Sequence, residues 1–448
     1  MNSRPWLRLA LFFCTALLFL VAANFLLVQT DSVTAITFHE MRSAPVIDLA
    51  VIGSSVVRDH FNEQLISEQT GMNAYSISVP SASFQTMIAS ADELFKVHHP
   101  SLVALVLEPY NFDTARENPE ALYKVMPWLS GFQTRMRLYT DSARIDGHWI
   151  NRALIFREFG AQSPVDMMKA LRFHIDPENA FSEVAASLDE NMQYMGRGYL
   201  RHSGIEGIDD KIRSVMLAEK DDGYSCPLLP ETKSMFLSLR DKIEAEGAKL
   251  IVVLSGSHSS HPLAEPHFLR YMQHVMDFCR ENGMPCYNLL YAKEDFLPNL
   301  DAYYYDLFHM TGEGADIQSE AFARLINALN SGEDVSGWFY EKDWEYRETI
   351  TRVVNCWIHK EKSGSFRAGC NTGSMVHPLY RFVLRDPDGR ETLLRDYAKE
   401  KRIDAELPEG WNLRVYARLE ESPEQEPAYF DYPADYGYAS LNPSLYKL

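Results

Sequence analysis

Short apolar runs alternate with longer amphipathic stretches from residue 46 to about residue 332, and this alternation narrows the possible folds more than any other feature. "VIDLAVIG" (46–53), "NAYSISVP" (73–80), "SLVALVLEP" (101–109), "AKLIVVLS" (248–255) and "PCYNLL" (285–290) have the length and character of strands. "FQTMIASADELFKV" (84–97), "PETKSMFLSLRDKIEAEG" (230–247), "EPHFLRYMQHVMDFCRENG" (265–283) and "GEGADIQSEAFARLINALN" (312–330) repeat apolar residues at helical spacing. Strands that are apolar throughout are covered on both faces. Strands joined through helices pair in parallel. The expected fold class is therefore α/β, a parallel sheet with helices on both faces, over residues 46–335. Residues 112–229 break the rhythm. They are rich in aromatic, Met and charged residues and are predicted to be a mainly helical insertion over one rim of the sheet.

Beyond residue 335 the period changes to two. "ITRVVNCWIHK" (350–360), "SFRAGC" (365–370), "LYRFVLRD" (379–386), "KRIDAEL" (401–407), "NLRVYARLEE" (412–421) and "AYFDYP" (428–433) alternate apolar with polar residues, with turn signals such as "DPDG" (386–389) between them. That pattern predicts a small antiparallel β-sandwich over residues 345–435. "NSGEDVSG" (330–337) reads as the linker.

Residues 9–28, "LALFFCTALLFLVAANFLLV", carry no charge. Twenty residues in a helix span the hydrocarbon core of a bilayer, roughly 30 Å. Arg4 and Arg8 precede the run and Asp31 follows it. The positive-inside rule makes residues 1–30 a cytoplasmic stub and transmembrane anchor, with the bulk of the chain extracytoplasmic. A cleaved signal peptide is the alternative, but its apolar region is about 7–15 residues long and ends in a small-residue site. This run is longer, and no Ala-x-Ala pattern follows it.

The formal net charge is −19, which opposes nucleic acid as a partner, since phosphate binding needs a basic surface. There are six cysteines. Cys14 lies in the apolar run, and Cys226, Cys279, Cys286, Cys356 and Cys370 lie beyond it. An exterior location permits disulfides, but their pairing is left open, for Cys279 with Cys286 and for Cys356 with Cys370 alike. No Cys-x-x-Cys pair with zinc spacing occurs, and no metal or organic cofactor is expected.

"DLAVIGSSVVRDHF" (48–61) ends the first strand in a glycine and two serines. A serine there either caps the following helix or stands at the ligand crevice formed by strand ends, and on the stretch alone the cap is the plainer reading. A nucleophilic serine needs a base. "YYYDLFHMTGEGA" (303–315) holds Asp306 and His309 just before the last helix of the alternating series. A three-residue offset in a turn brings both side chains to one side, so Asp306 is placed to orient His309 as a general base for the serine. A capping pair is the plainer reading of Asp-x-x-His, and its position after the last strand, with a serine after the first, favours the triad.

"GSS" after the first strand and "DLFH" before the last helix resemble the first and last blocks of the SGNH (GDSL-type) hydrolases. Residues 48–112 and 285–326 resemble a membrane-anchored branch that includes the D-alanine-transfer protein of lipoteichoic acid synthesis (DltD) and other partners of membrane-bound O-acyltransferases. The resemblance implies a three-layer α/β/α fold with Ser55, not Ser54, as nucleophile, and Asp306 and His309 as its partners. Its oxyanion hole falls on the backbone of Ser55, on Ser81 in place of the second-block glycine, and on Asn111 as the third-block asparagine; a turn role for Asn111 stands beside that. The C-terminal part resembles the three-Tyr (Y_Y_Y) β-sandwich, with Tyr380, Tyr397 and Tyr416 as its tyrosines, and packing is the plainer role for them. The resemblance implies a serine-dependent O-acyl transferase or esterase acting on a cell-wall polymer or exopolysaccharide, by D-alanylation of teichoic acid or O-acetylation of polysaccharide, next to a membrane-bound O-acyltransferase. The alternative is a surface scaffold that keeps the fold without the catalysis.

Overall fold

The computed structural model describes residues 4–26, 32–112, 119–150, 163–176, 179, 188, 191–203, 224–264, 266–361, 363–373, 376–425 and 427–432. Five strands form one parallel sheet: β1 (Leu49–Gly53), β2 (Ala74–Ser78), β3 (Leu102–Leu107) and, later in the chain, β6 (Lys249–Leu254) and β7 (Cys286–Asn288). They lie in the spatial order second, first, third, fourth, fifth. Leu49 pairs with Ala74 on one side and with Leu102 on the other. Every residue of β1, β2 and β3 is buried. Side chains alternate between faces along a strand, so both faces are covered.

The helices of this part, in chain order, are α1 (Arg4–Leu26), α2 (Ser32–Ser43), α3 (Ser55–His60), α4 (Glu63–Thr70), α5 (Phe84–Leu94), α6 (Pro119–Val125), α7 (Phe132–Asp146), α8 (Pro164–Ile175), α9 (Pro230–Ala245), α10 (Pro266–Glu281) and α11 (Gly312–Ser331). α5 packs on α7 and α9, and α11 packs on α3 and α4. Between α8 and α9 the insertion contributes a hairpin, β4 (Met192–Gly196) and β5 (Tyr199–His202). Its turn lies against β2, where Ser76 N–H donates to the Arg197 carbonyl at 2.9 Å. Gly198 sits at φ +86°, and a Cβ there would meet the Ser76 carbonyl oxygen at 2.2 Å; only glycine allows that approach. The insertion is thus helix plus hairpin where it is described, and residues 113–118, 151–162, most of 177–190 and 204–223 lie outside the described residues.

α1 is long and apolar enough to cross a membrane. The strands with period-two alternation form two antiparallel sheets. β11 (Glu391–Ala398), β10 (Pro378–Arg385), β13 (Asn412–Leu419) and β14 (Ala428–Tyr432) form one in that order, and β12 (Arg402–Ile403), β9 (Phe366–Asn371) and β8 (Asn355–Lys360) form the other; residue 433 and those beyond lie outside the described residues. Ile358 and Phe366 from one sheet share a core with Phe382, Val415 and Phe430 from the other. Tyr380 belongs to that core, its hydroxyl 3.2 Å from the Cys370 sulfur. Tyr397 and Tyr416 instead carry arginines: Arg418 lies 3.9 Å from the Tyr397 ring centre and Arg414 5.7 Å from that of Tyr416, whose hydroxyl donates to Glu391. Cys356 and Cys370 stand opposite each other in register, and no disulfide joins the cysteines in this structure.

Two compact units result. One comprises Met1–Gly207, Ser225–Ser257 and Arg270–Phe339, and the other Ile208–Tyr224, His258–Leu269 and Tyr340–Leu448. The second unit therefore takes in His258–Leu269, a stretch that the strand–helix alternation assigns to the α/β part. Ser259 explains part of this, since it accepts a hydrogen bond from Arg352 at 3.3 Å.

Candidate active site

Gly53 ends β1 where a Cβ would stand 2.6 Å from the Val106 carbonyl oxygen, so the turn into α3 runs tight against β3. Two serines follow, and their hydroxyls diverge. Ser54 occupies the N-cap position of α3, yet its side chain makes no capping bond. It donates to the Glu108 carboxylate instead. Glu108 follows β3, so this bond bridges the ends of β1 and β3, where the strand order reverses and where such sheets hold their ligands. Ser55, half-buried, points its Oγ at His309 Nε2, 2.8 Å away across 254 residues of sequence.

His309 is held by a turn that Asp306 organises. One carboxylate oxygen of Asp306 accepts the backbone N–H groups of Phe308 and His309, each at 2.7 Å. The other oxygen lies 2.8 Å from His309 Nδ1. A carboxylate is an acceptor only, so Nδ1 carries the hydrogen and the Nε2 lone pair faces Ser55. Below the turn lies His60, fully buried. Its Nε2 donates to the Phe308 carbonyl at 2.7 Å, and its Nδ1 then accepts from Ser255 Oγ at 3.0 Å. That arrangement suits a neutral ring. Burial, with the nearby charge of His309, lowers its pKa to about 3.

The reading from sequence did not include a second carboxylate beside His309. Asp59 lies four residues after Ser55 on α3, hence on the same helical face. Its side chain is wholly buried, and Oδ2 is 3.9 Å from His309 Nε2. Arg58 grips it at 2.7 and 3.1 Å, Tyr305 donates to it at 3.4 Å, and His202 Nε2 stands 3.5 Å away. Burial acts to raise the Asp59 pKa, but Arg58, His202 and His309 together hold it well below the usual carboxylate range. His309 responds in kind. Burial lowers its pKa, and the Asp306 hydrogen bond with the charges of Asp59, Asp306 and Glu108 outweighs this and raises it. Asp306 is lowered, its burial offset by the hydrogen bonds from His309 and the turn N–H groups. "SSVVRDH" held a signal for Asp59 in its four-residue offset, and "VLEP" held one for Glu108 as an acid closing an apolar strand. His202 had none, because it arrives on the insertion hairpin and stacks on Tyr305 with ring centres 4.3 Å apart.

The structure brings Ser55, His309 and Asp306 together. Ser81 and Asn111 lie on the loops that follow β2 and β3. Ser81 is exposed in the loop after β2, in the left-handed region at φ 62°. Asn111 ties two loops: its Oδ1 accepts the Glu108 N–H at 2.8 Å, and its Nδ2 donates to the Ala82 carbonyl at 3.0 Å. That is the turn role, and one Nδ2 hydrogen remains beyond it. Among the described residues, no group of three or more His, Cys, Asp or Glu is arranged to hold a metal ion.

No family model matches the chain, and no curated protein matches it. Among solved structures, the endo-beta-1,4-mannanase from Thermotoga petrophila aligns over 92% of this chain and 98% of its own, at 11% identity and a TM-score of 0.15. A similarity at that level carries no argument about fold or activity.

Proposed function

We propose that this chain is a membrane-anchored, extracytoplasmic serine acyltransferase or esterase of the SGNH type, acting on ester groups of a cell-surface polymer. The observation that carries this reading is the continuous chain from Ser55 Oγ to His309 Nε2 and from His309 Nδ1 to Asp306, each step 2.8 Å. The 2-1-3-4-5 strand order and the position of Ser55 after β1 add support.

In this mechanism Ser55 Oγ attacks the carbonyl carbon of an acyl ester while its proton passes to His309 Nε2. Asp306 holds the imidazolium at Nδ1, and Asp59 stabilises it from the Ser55 side. The Ser55 backbone N–H and the remaining Asn111 N–H are the candidate donors to the oxyanion. The donor's alcohol leaves with the proton from His309, and an acyl-serine remains. A polymer hydroxyl, or water, gives its proton to His309, attacks the acyl carbon and restores Ser55. The acyl groups in view are D-alanyl on teichoic acid and acetyl on polysaccharide, with a membrane-bound O-acyltransferase as the partner that supplies the donor.

A fluorophosphonate probe is expected to label the wild type and Ser54→Ala but not Ser55→Ala. Ester content of the surface polymer, in cells carrying each variant at equal level, is expected to fall for Ser55→Ala. Normal ester content with Ser55, His309 and Asp306 all replaced would overturn catalysis and leave a scaffold that partners the acyltransferase.

A further inference from the structure

We infer that the exposed face of α8 is a second membrane contact, a helix lying in the headgroup region of the leaflet at the C-terminal end of α1, with phospholipid as its partner. This rests on reading α1 as a membrane span.

α1 shows where the protein meets the bilayer. Its apolar side chains are exposed through most of its length, from Trp6 and Leu7 to Phe19 and Val21, and Ala23, near the C-terminal end, is buried. The next helix, α2, is already core: Val33, Ala35, Ile36 and Phe38 are buried. The chain from Leu26 to Ser32 reaches at most roughly 20 Å even if fully extended. The folded unit therefore begins at the end of the span, at the depth of the headgroups.

α8 packs against α1, and its described buried residue is Ala170. Val165, Met168 and Ile175 are 63%, 64% and 72% exposed, and Lys169 and Arg172 are exposed with them. At 3.6 residues per turn these five positions share one side of the helix. Single exposed apolar residues are ordinary on a soluble surface. Three large ones on one face, with two cations among them, form the pattern of a helix that lies in a bilayer interface. The apolar side chains enter the acyl boundary, while the lysine and arginine stems extend to the headgroups and draw anionic lipid. Continuity with α1 selects lipid over another protein as the occupant.

The test uses the full chain in nanodiscs of phosphatidylcholine with a minor share of phosphatidylglycerol. An environment-sensitive fluorophore is placed on a Met168→Cys variant in a Cys14→Ser background, and on a Gln64→Cys variant as an exposed control on α4; the Cys14→Ser chain with its remaining thiols is the blank. Lipids carrying a nitroxide just below the headgroup are expected to quench the label at position 168 several-fold more than the label at position 64. Adding Val165→Glu and Ile175→Glu is expected to bring position 168 down to the control. Equal quenching at 168 and 64 overturns the inference. So does a label at 168 that is shielded from water but untouched by nitroxide lipid, which would mean that a second copy covers the face. The wild-type Cys14, exposed within α1, reports on the span separately. If its label is quenched by lipid with a nitroxide deep in the acyl chain while 168 is not, the span stands and the docking fails; if neither is quenched, the span itself fails.

Discussion

Ser54 and Ser55 are adjacent, yet their neighbours give them different work. Ser54 is engaged by Glu108, and Ser55 faces the only lone pair that His309 offers. On the proposed mechanism the raised His309 pKa sets the pH response. Below that pKa the ring is protonated and cannot take the proton from Ser55, so the acidic limb of kcat/KM on a small ester is expected at a pH above the ordinary histidine value of about 6.5. Asp59→Asn removes one of the charges that raise it, and the limb is expected to move to lower pH; a merely structural loss would lower the rate without moving the limb. Asp306→Asn is expected to cut kcat by about 10²–10⁴-fold, since the tautomer is no longer fixed. The two histidines act oppositely on stability. His309, raised in the folded state, adds stability that is complete below about 6.5 and lost as pH rises through its folded value. His60 is lowered to about 3, so its contribution is complete above about 6.5 and is lost as pH falls from there toward its folded value. Denaturant unfolding at several pH values across that acid range is expected to show a shallower loss of stability in His60→Gln than in the wild type.

Single elements bring these residues to one place. α3 is one and a half turns long and still presents Ser55 and Asp59 on one face. The β4–β5 hairpin carries His202 in, and its approach depends on Gly198. Gly198→Ala places a methyl against the Ser76 carbonyl in a backbone region that alanine disfavours, and is expected to cost about 1–3 kcal/mol. Thermal unfolding measures that cost. If the hairpin is displaced, His202 leaves Asp59 and the fluorophosphonate labelling rate changes with it; an unchanged rate would show that His202 is a bystander. α4 begins at a working cap, where Asn62 Oδ1 accepts the Leu65 N–H and Nδ2 donates to Asp316 on α11. Asn62→Ala loses both bonds and is expected to destabilise by about 1–2 kcal/mol.

For the chain as a whole, two outcomes follow from anchor and units. On the proposed topology, with Arg4 and Arg8 inside, protease added to intact cells is expected to remove the C-terminal unit, and protection of that unit would overturn that orientation. The second unit includes His258–Leu269, so residues 340–448 made alone lack part of their own contacts. That fragment is expected to melt below the same unit in the full chain, by about 4–8 °C for each kcal/mol lost. Equal melting would show that the segment adds nothing to the unit.

Local patterns were enough for the sheet strands, the two antiparallel sheets and α1, because each follows from a period or a length within a few residues. They were enough, too, for Asp306 beside His309, since three residues of chain hold that pair together. Ser55 was singled out from Ser54 only through the resemblance to the first SGNH block, since the place after the first strand is shared by both serines. The surroundings of the triad were not readable in the same way. Ser54 with Glu108, His60 with Ser255, and His202 with Tyr305 are joined across 54, 195 and 103 residues. No periodicity spans such distances. Packing of the sheet ends, α3 and the hairpin fixes which polar groups meet, and burial then fixes which of them keep their charge.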